Sequence, residues 1–152
     1  MKTLPITMPT DATISAIHGF DQKGGLPLPL FLCRVSAGFP SPAADHLDKC
    51  LNLNELLIKH PAATFFVRVA GDSMTGAGIN HDDILIVDRA LEPANGKVVI
   101  AVLNGELTVK RLFRNGELFR LAAENPDYPD LQLAEGESCE IWGVVSFVIH
   151  SL

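Results

Sequence analysis

The sequence predicts a mostly β, strand-rich domain with one short helix, preceded by an extended N-terminal arm. Three observations predict it. Residues 1 to about 45 carry Pro5, Pro9, Pro27, Pro29, Pro40 and Pro42 and the pair Gly24-Gly25, without a sustained helical or strand period. Beyond Pro61 the chain turns into short runs of β-branched and aromatic residues separated by turn signals. Two Asn-Gly pairs, Asn104-Gly105 and Asn115-Gly116, fall between such runs, where tight hairpins demand positive φ.

Taken in order, the arm is not uniformly hydrophilic. "LPLPLFLCRV", Leu26 to Val35, is apolar enough to lie along the surface of a body. "NLNELLIKHP" then predicts the helix, with Asn52 as N-cap, Glu55 as its capping-box partner, an apolar set at Leu53, Leu56, Leu57 and Ile58, and Pro61 as the stop. The predicted strands are "ATFFVRVA", "DILIVD", "KVVIAVL", "ELTVKRLF", "ELFRLAA" and "CEIWGVVSFVI". The two Asn-Gly pairs, read as type I′ turns, make "ELTVKRLF" the middle strand of a meander. Alternation then puts Thr108, Lys110 and Leu112 on one face of it and Leu107, Val109, Arg111 and Phe113 on the other.

Bulk properties narrow the function. A chain of 152 residues suits one domain with a real core. Its formal charge of −6, with no compensating block of Lys or Arg, opposes the phosphate attraction that drives direct DNA binding. The N-terminus lacks the apolar core of a secretory signal and no run suits a bilayer, so the expected location is cytoplasmic with no membrane partner. Cys33, Cys50 and Cys139 form no CxxC pair, which argues against a disulfide framework and a zinc site; no metal or other cofactor is expected.

The chemistry starts at "VRVAGDSMTGAGI", where Ser73 stands in a glycine-flanked turn at the end of an apolar run. A serine nucleophile needs a base. His18, His46, His60, His81 and His150 all fall in the arm, in turns, beside a proline or near the terminus, and read as surface or packing residues. A lysine serves instead when burial in an apolar setting favours its neutral form, and Lys110 has such a setting in the central strand. Thr108, two residues earlier on the same face, is placed to accept a hydrogen bond from the amine and orient it. Each half also has an ordinary explanation: a Gly-Asp-Ser-Met turn as a loop cap, a strand lysine as a solvated side chain whose stem covers apolar surface.

Together, "GDSMTGAGI", "DDILIVDRA", "GKVVIAVLNGELTVKRL" and "IWGVVSFVI" resemble the LexA and UmuD family of self-cleaving Ser-Lys proteins, from about Gly38 to the C-terminus. The resemblance implies a LexA/UmuD C-terminal-type fold, Ser73 as nucleophile and Lys110 as general base. It implies an oxyanion hole of backbone N–H groups near Asp72 and Ser73. "VSAGFPSPAADH" resembles the family's cleavage segment, which implies Ala37-Gly38 as the scissile bond, residues 1–37 as an arm removed by self-cleavage and residues 38–152 as the catalytic and dimerisation domain. Small residues there suit a narrow site. One departure is His81-Asp82, where the family usually has Asp-Gly. The first twenty or so residues match nothing in the family.

Only 37 proline-rich residues precede the cleavage segment, without the paired helices of a helix-turn-helix. The branch resembled is therefore UmuD-like. It implies a homodimeric accessory subunit of a UmuC-type error-prone translesion polymerase, processed after DNA damage under stimulation by a RecA-DNA filament, with no sequence-specific DNA binding. Rival readings are a noncatalytic polymerase-binding module, a peptidase acting in trans, and a LexA-like regulator or antirepressor without its DNA-binding domain.

Overall fold

The computed structural model describes residues 12–20, 27–31, 47–130 and 138–152. The chain divides into two compact units, residues 21–59 and a larger one joining His60–Leu152 to the segment that ends at Phe20.

In the smaller unit, β2 (Pro27–Phe31) pairs antiparallel with β3 (Leu47–Asn52), and α1 (Leu53–Leu57) follows. Asn52 is the N-cap as expected, its side chain accepting from the Asn54 N–H at 3.0 Å. The reciprocal arm of a capping box is replaced: Glu55 Oε1 accepts from the Asn52 side-chain amide instead of from its backbone. The helix is shorter than Pro61 would permit. It ends at an extended Ile58, and Pro61 opens a 3₁₀ turn, Pro61–Ala63, where its missing N–H costs nothing.

The larger unit is a β-barrel. Its strands are β1 (Thr13–Gly19), β4 (Thr64–Ala70), β5 (Ile84–Asp88), β6 (Val98–Leu103), β7 (Glu106–Asn115), β8 (Leu118–Ala122) and β9 (Cys139–Ile149). They run in the order β1-β4-β5-β9-β6-β7-β8, and a further pairing of β1 with β7 closes the ring. The predicted strands are all present, within a residue or two at each end. The sequence concealed β2 and β3 of the smaller unit, and in the larger unit β1: "TISAIHG" pairs with β4 from Thr13↔Ala70 to Gly19↔Phe65 through an irregularity between Ile14 and Ala16. It alternates exposed and half-buried residues too weakly to announce a strand without its partner.

The first hairpin turn is as expected, with Asn104 at φ 49° and Gly105 at φ 84° between Leu103↔Glu106. The second is corrected. Asn115 pairs with Leu118 inside the ladder, so Gly116 (φ 65°) and Glu117 form the loop, with glycine at the first central position as a type II′ turn prefers. Asp82 takes φ 67° at the unusual His81-Asp82 turn; aspartate tolerates this left-handed conformation, and its N–H is secured on the Val69 carbonyl at 2.9 Å.

Two apolar clusters flank the sheet. One gathers Val67, Val69, Met74, Leu85, Ile100 and Val109 inside the ring, the other Val99, Ala101, Leu112, Leu121 and Val144 beneath β8. Each such side chain contributes about 1.5–3 kcal/mol by leaving water. β7 is thus covered on both faces, and its outer edge is divided lengthwise between β1 at Thr108 and β8 from Arg111 onward.

Candidate active site

The Ser73 turn leaves β4 through Gly71, whose φ of 94° suits glycine alone. It then enters a 3₁₀ turn, Thr75–Ala77, closed by Gly78 at φ 77°. Met74, fully buried in the ring, anchors the turn from within. Ser73 beside it is 0% exposed, an unusual setting for a hydroxyl unless it is bonded. It is bonded: the Ala12 N–H donates to Ser73 Oγ at 2.8 Å.

Ala12 also ties this turn to the lysine strand. Its carbonyl accepts from Thr108 Oγ1 at 3.0 Å and from the Val109 N–H at 3.2 Å. Lys110, one residue further along β7, is 1% exposed. The solvated-lysine explanation is therefore excluded. Among the described residues no buried side-chain nitrogen or oxygen lacks a hydrogen-bond partner. Thr108, expected to accept from an amine, spends its own proton on the Ala12 carbonyl; its oxygen keeps acceptor capacity.

Asp72 is held from a third direction. The Asn125 side-chain amide donates to the Asp72 carbonyl at 2.9 Å, and the Tyr128 hydroxyl bonds its carboxylate. Glu124 brackets the serine, its N–H donating to the Ser73 carbonyl at 2.9 Å and its carbonyl accepting from Gly76 N–H at 2.7 Å. A Cβ at Gly76 would stand 2.5 Å from that carbonyl oxygen, so glycine is required there for close approach. The Glu124 carboxylate pairs with Arg111, next to Lys110, whose Nη1 also donates to the Gly96 carbonyl at 2.6 Å. The segment Glu124–Tyr128 was missed in the sequence because "ENPDYP" reads only as a turn; its role follows from contact with a residue some fifty positions earlier.

Of the histidines, His46 lies outside the described residues and His18 is exposed. His60 pairs with Asp88 and His150 with Asp83, each at 2.6 Å. His81 Nδ1 accepts from the Gly71 N–H at 3.1 Å and so shapes the turn. Cys139 is half-buried, and burial pushes its thiol up, away from thiolate reactivity. Among the described residues no group of His, Cys, Asp and Glu is placed to hold a metal ion, and no helix is long and apolar enough to cross a membrane. Ala37 and Gly38, the expected scissile pair, lie outside the described residues.

The strand barrel fits the class that comparison shows: the Peptidase S24-like family model matches residues 29–146. The chain belongs to that family, and within it is UmuD-like. It is 48% identical to protein ImpA of Salmonella typhimurium over 123 residues, 80% of this chain and 83% of ImpA. It is 44% identical to protein MucA of Salmonella typhimurium over 126 residues, covering 82% of this chain and 84% of MucA. The LexA repressor of Cupriavidus taiwanensis is 41% identical over 126 residues, which is 83% of this chain but 57% of the repressor.

Proposed function

We propose that the protein is a self-cleaving serine peptidase of the UmuD type, whose processed form serves an error-prone translesion polymerase. The observation that carries the reading is that Ser73 and Lys110 are both withdrawn from water within one unit, while a peptide unit of the chain touches the serine and the lysine-bearing strand together. Burying a hydroxyl and an amine departs from an apolar core even where hydrogen bonds offset the cost, a departure expected at functional sites, and access by extended backbone is what a peptidase site requires.

In this reading Ser73 Oγ attacks the carbonyl carbon of Ala37 while Lys110 Nζ takes the hydroxyl proton. The oxyanion is held by backbone N–H groups near Asp72 and Ser73, and the proton passes to the nitrogen of Gly38 as the bond breaks. Water then hydrolyses the acyl-serine. Residues 1–37 leave and residues 38–152 remain. Attachment of the segment raises its effective concentration, so the trigger acts on its pose. The proposed partners are a second copy of this chain, a RecA-DNA filament as trigger and a UmuC-type polymerase as recipient, all in the cytoplasm. Similarity to ImpA and MucA over most of their lengths supports this branch.

Mass spectrometry of the purified chain with and without a RecA-DNA filament tests the reading. A fragment beginning at Gly38 is expected with the filament and at alkaline pH without it. An intact mass under both conditions leaves the noncatalytic polymerase-binding module as the surviving alternative.

A further inference from the structure

The peptide unit that reaches Ser73 in this structure belongs to Ala12, seventeen residues ahead of the first position the family model matches. Ala12 is 0% exposed, and it lies on a serine that is equally buried. The bonds it makes oppose cleavage. Its N–H donates to Ser73 Oγ, occupying a lone pair with which that oxygen would attack. Its carbonyl oxygen is turned to β7, engaged by both Thr108 Oγ1 and the Val109 N–H. A scissile carbonyl must instead direct its oxygen to donors that strengthen as negative charge develops at the serine turn. The β1 ladder with β4 and the Thr13↔Thr108 pair hold this arrangement in register.

We propose that the Ser73 cleft is a binding site for an extended peptide segment presenting alanine, and that the chain's own Ala12 segment fills it as an internal competitor of the cleavage segment. The competitor part rests on the function proposed above; the binding part does not. Occupancy follows the rules of strand addition: main-chain hydrogen bonds to β4 and β7 supply affinity, and the closed space around the Ala12 methyl supplies selection for a small side chain. Before Ala37-Gly38 can reach Ser73, Ala12 must withdraw. Basal cleavage is slow in proportion to how seldom it does so.

Two measurements decide the two parts. For binding, amide exchange is followed by NMR in the intact chain: the Ala12 amide is expected to exchange at least tenfold slower than an open-chain amide, and faster in Ser73→Ala, which lacks the acceptor. Full-length Ala12→Trp, too bulky for the site, is expected to bind a labelled N-acetyl peptide copying residues 12–19 that the parent chain does not bind. An unprotected Ala12 amide, or no peptide binding by a folded Ala12→Trp chain, overturns the site. For competition, Ala12→Trp is expected to release the Gly38 fragment at least fivefold faster than the parent at alkaline pH, and added peptide to slow it again. An equal or slower rate overturns the competitor. If neither chain cleaves under any condition, the peptidase reading fails and competition with it, while exchange and peptide binding still decide the site.

Discussion

The serine turn and the lysine strand are built by opposite strategies. Lys110 stands in β7 between two local hairpins, and its position follows from neighbours on the adjoining β6 and β8, paired at Val99↔Lys110 and Arg111↔Ala122. Ser73 stands in irregular backbone after β4. Its position is imposed from afar by Glu124, Asn125 and Tyr128 on one side and Ala12 on the other. A ladder residue is held by cooperative hydrogen bonding on both edges, whereas a turn residue is only as fixed as the side chains that reach it. The lesson is that the proposed base and the proposed nucleophile should fail differently under mutation.

The largest effect expected is chemical. Ser73→Ala and Lys110→Ala each abolish the Gly38 fragment while the barrel remains folded by circular dichroism; cleavage surviving in either removes that residue from the mechanism. Next comes the base itself. Lys110→Arg keeps the charge but stays protonated at any working pH, so the Gly38 fragment should again be lost with the barrel still folded; a fragment surviving in Lys110→Arg would exclude the amine as base. The comparison itself is broken by Gly76→Ala. The new methyl collides with the Glu124 carbonyl, costing about 1–3 kcal/mol and displacing the serine turn, so cleavage should fall together with Tm. A volume change on the lysine strand, Leu112→Ala, two residues from Lys110 on the same face, should cost about 2–5 kcal/mol yet leave cleavage of the folded fraction near normal, because the ladder holds the lysine. The smallest expected effect sharpens the contrast: Tyr128→Phe removes an exposed hydrogen bond to Asp72, costing stability about 1 kcal/mol or less and slowing cleavage a few-fold. Equal rates for Tyr128→Phe and the parent would show that Glu124, Asn125 and Ala12 suffice to hold the turn.

Much of the barrel was legible beforehand because its information is local. "NGEL" announces a hairpin through backbone energetics confined to two residues, and "CEIWGVVSFVI" coincides with β9 from Cys139 to Ile149 because β-branched runs favour a pleated surface on their own. The shift of the second turn from Asn115-Gly116 to Gly116-Glu117 shows the limit. One residue of register depends on how β8 seats Leu121 beneath the sheet, which no dipeptide encodes.

By itself, the amino-acid order determined the strand-rich class, the short helix after Asn52, the net negative charge, and Ser73 and Lys110 as the pair worth examining, since each depends on residue type and short-range spacing. Only the tertiary structure decided that "TISAIHG" closes the barrel, that Glu124 to Tyr128 hold the serine turn, and that Ala12 lies on Ser73. These are pairings of weakly patterned segments far apart in the chain, from 48 residues for Gly76 to Glu124 up to 97 for Ala12 to Val109. Their stability comes from burying and satisfying backbone groups jointly, a condition that exists only once the whole ring has closed.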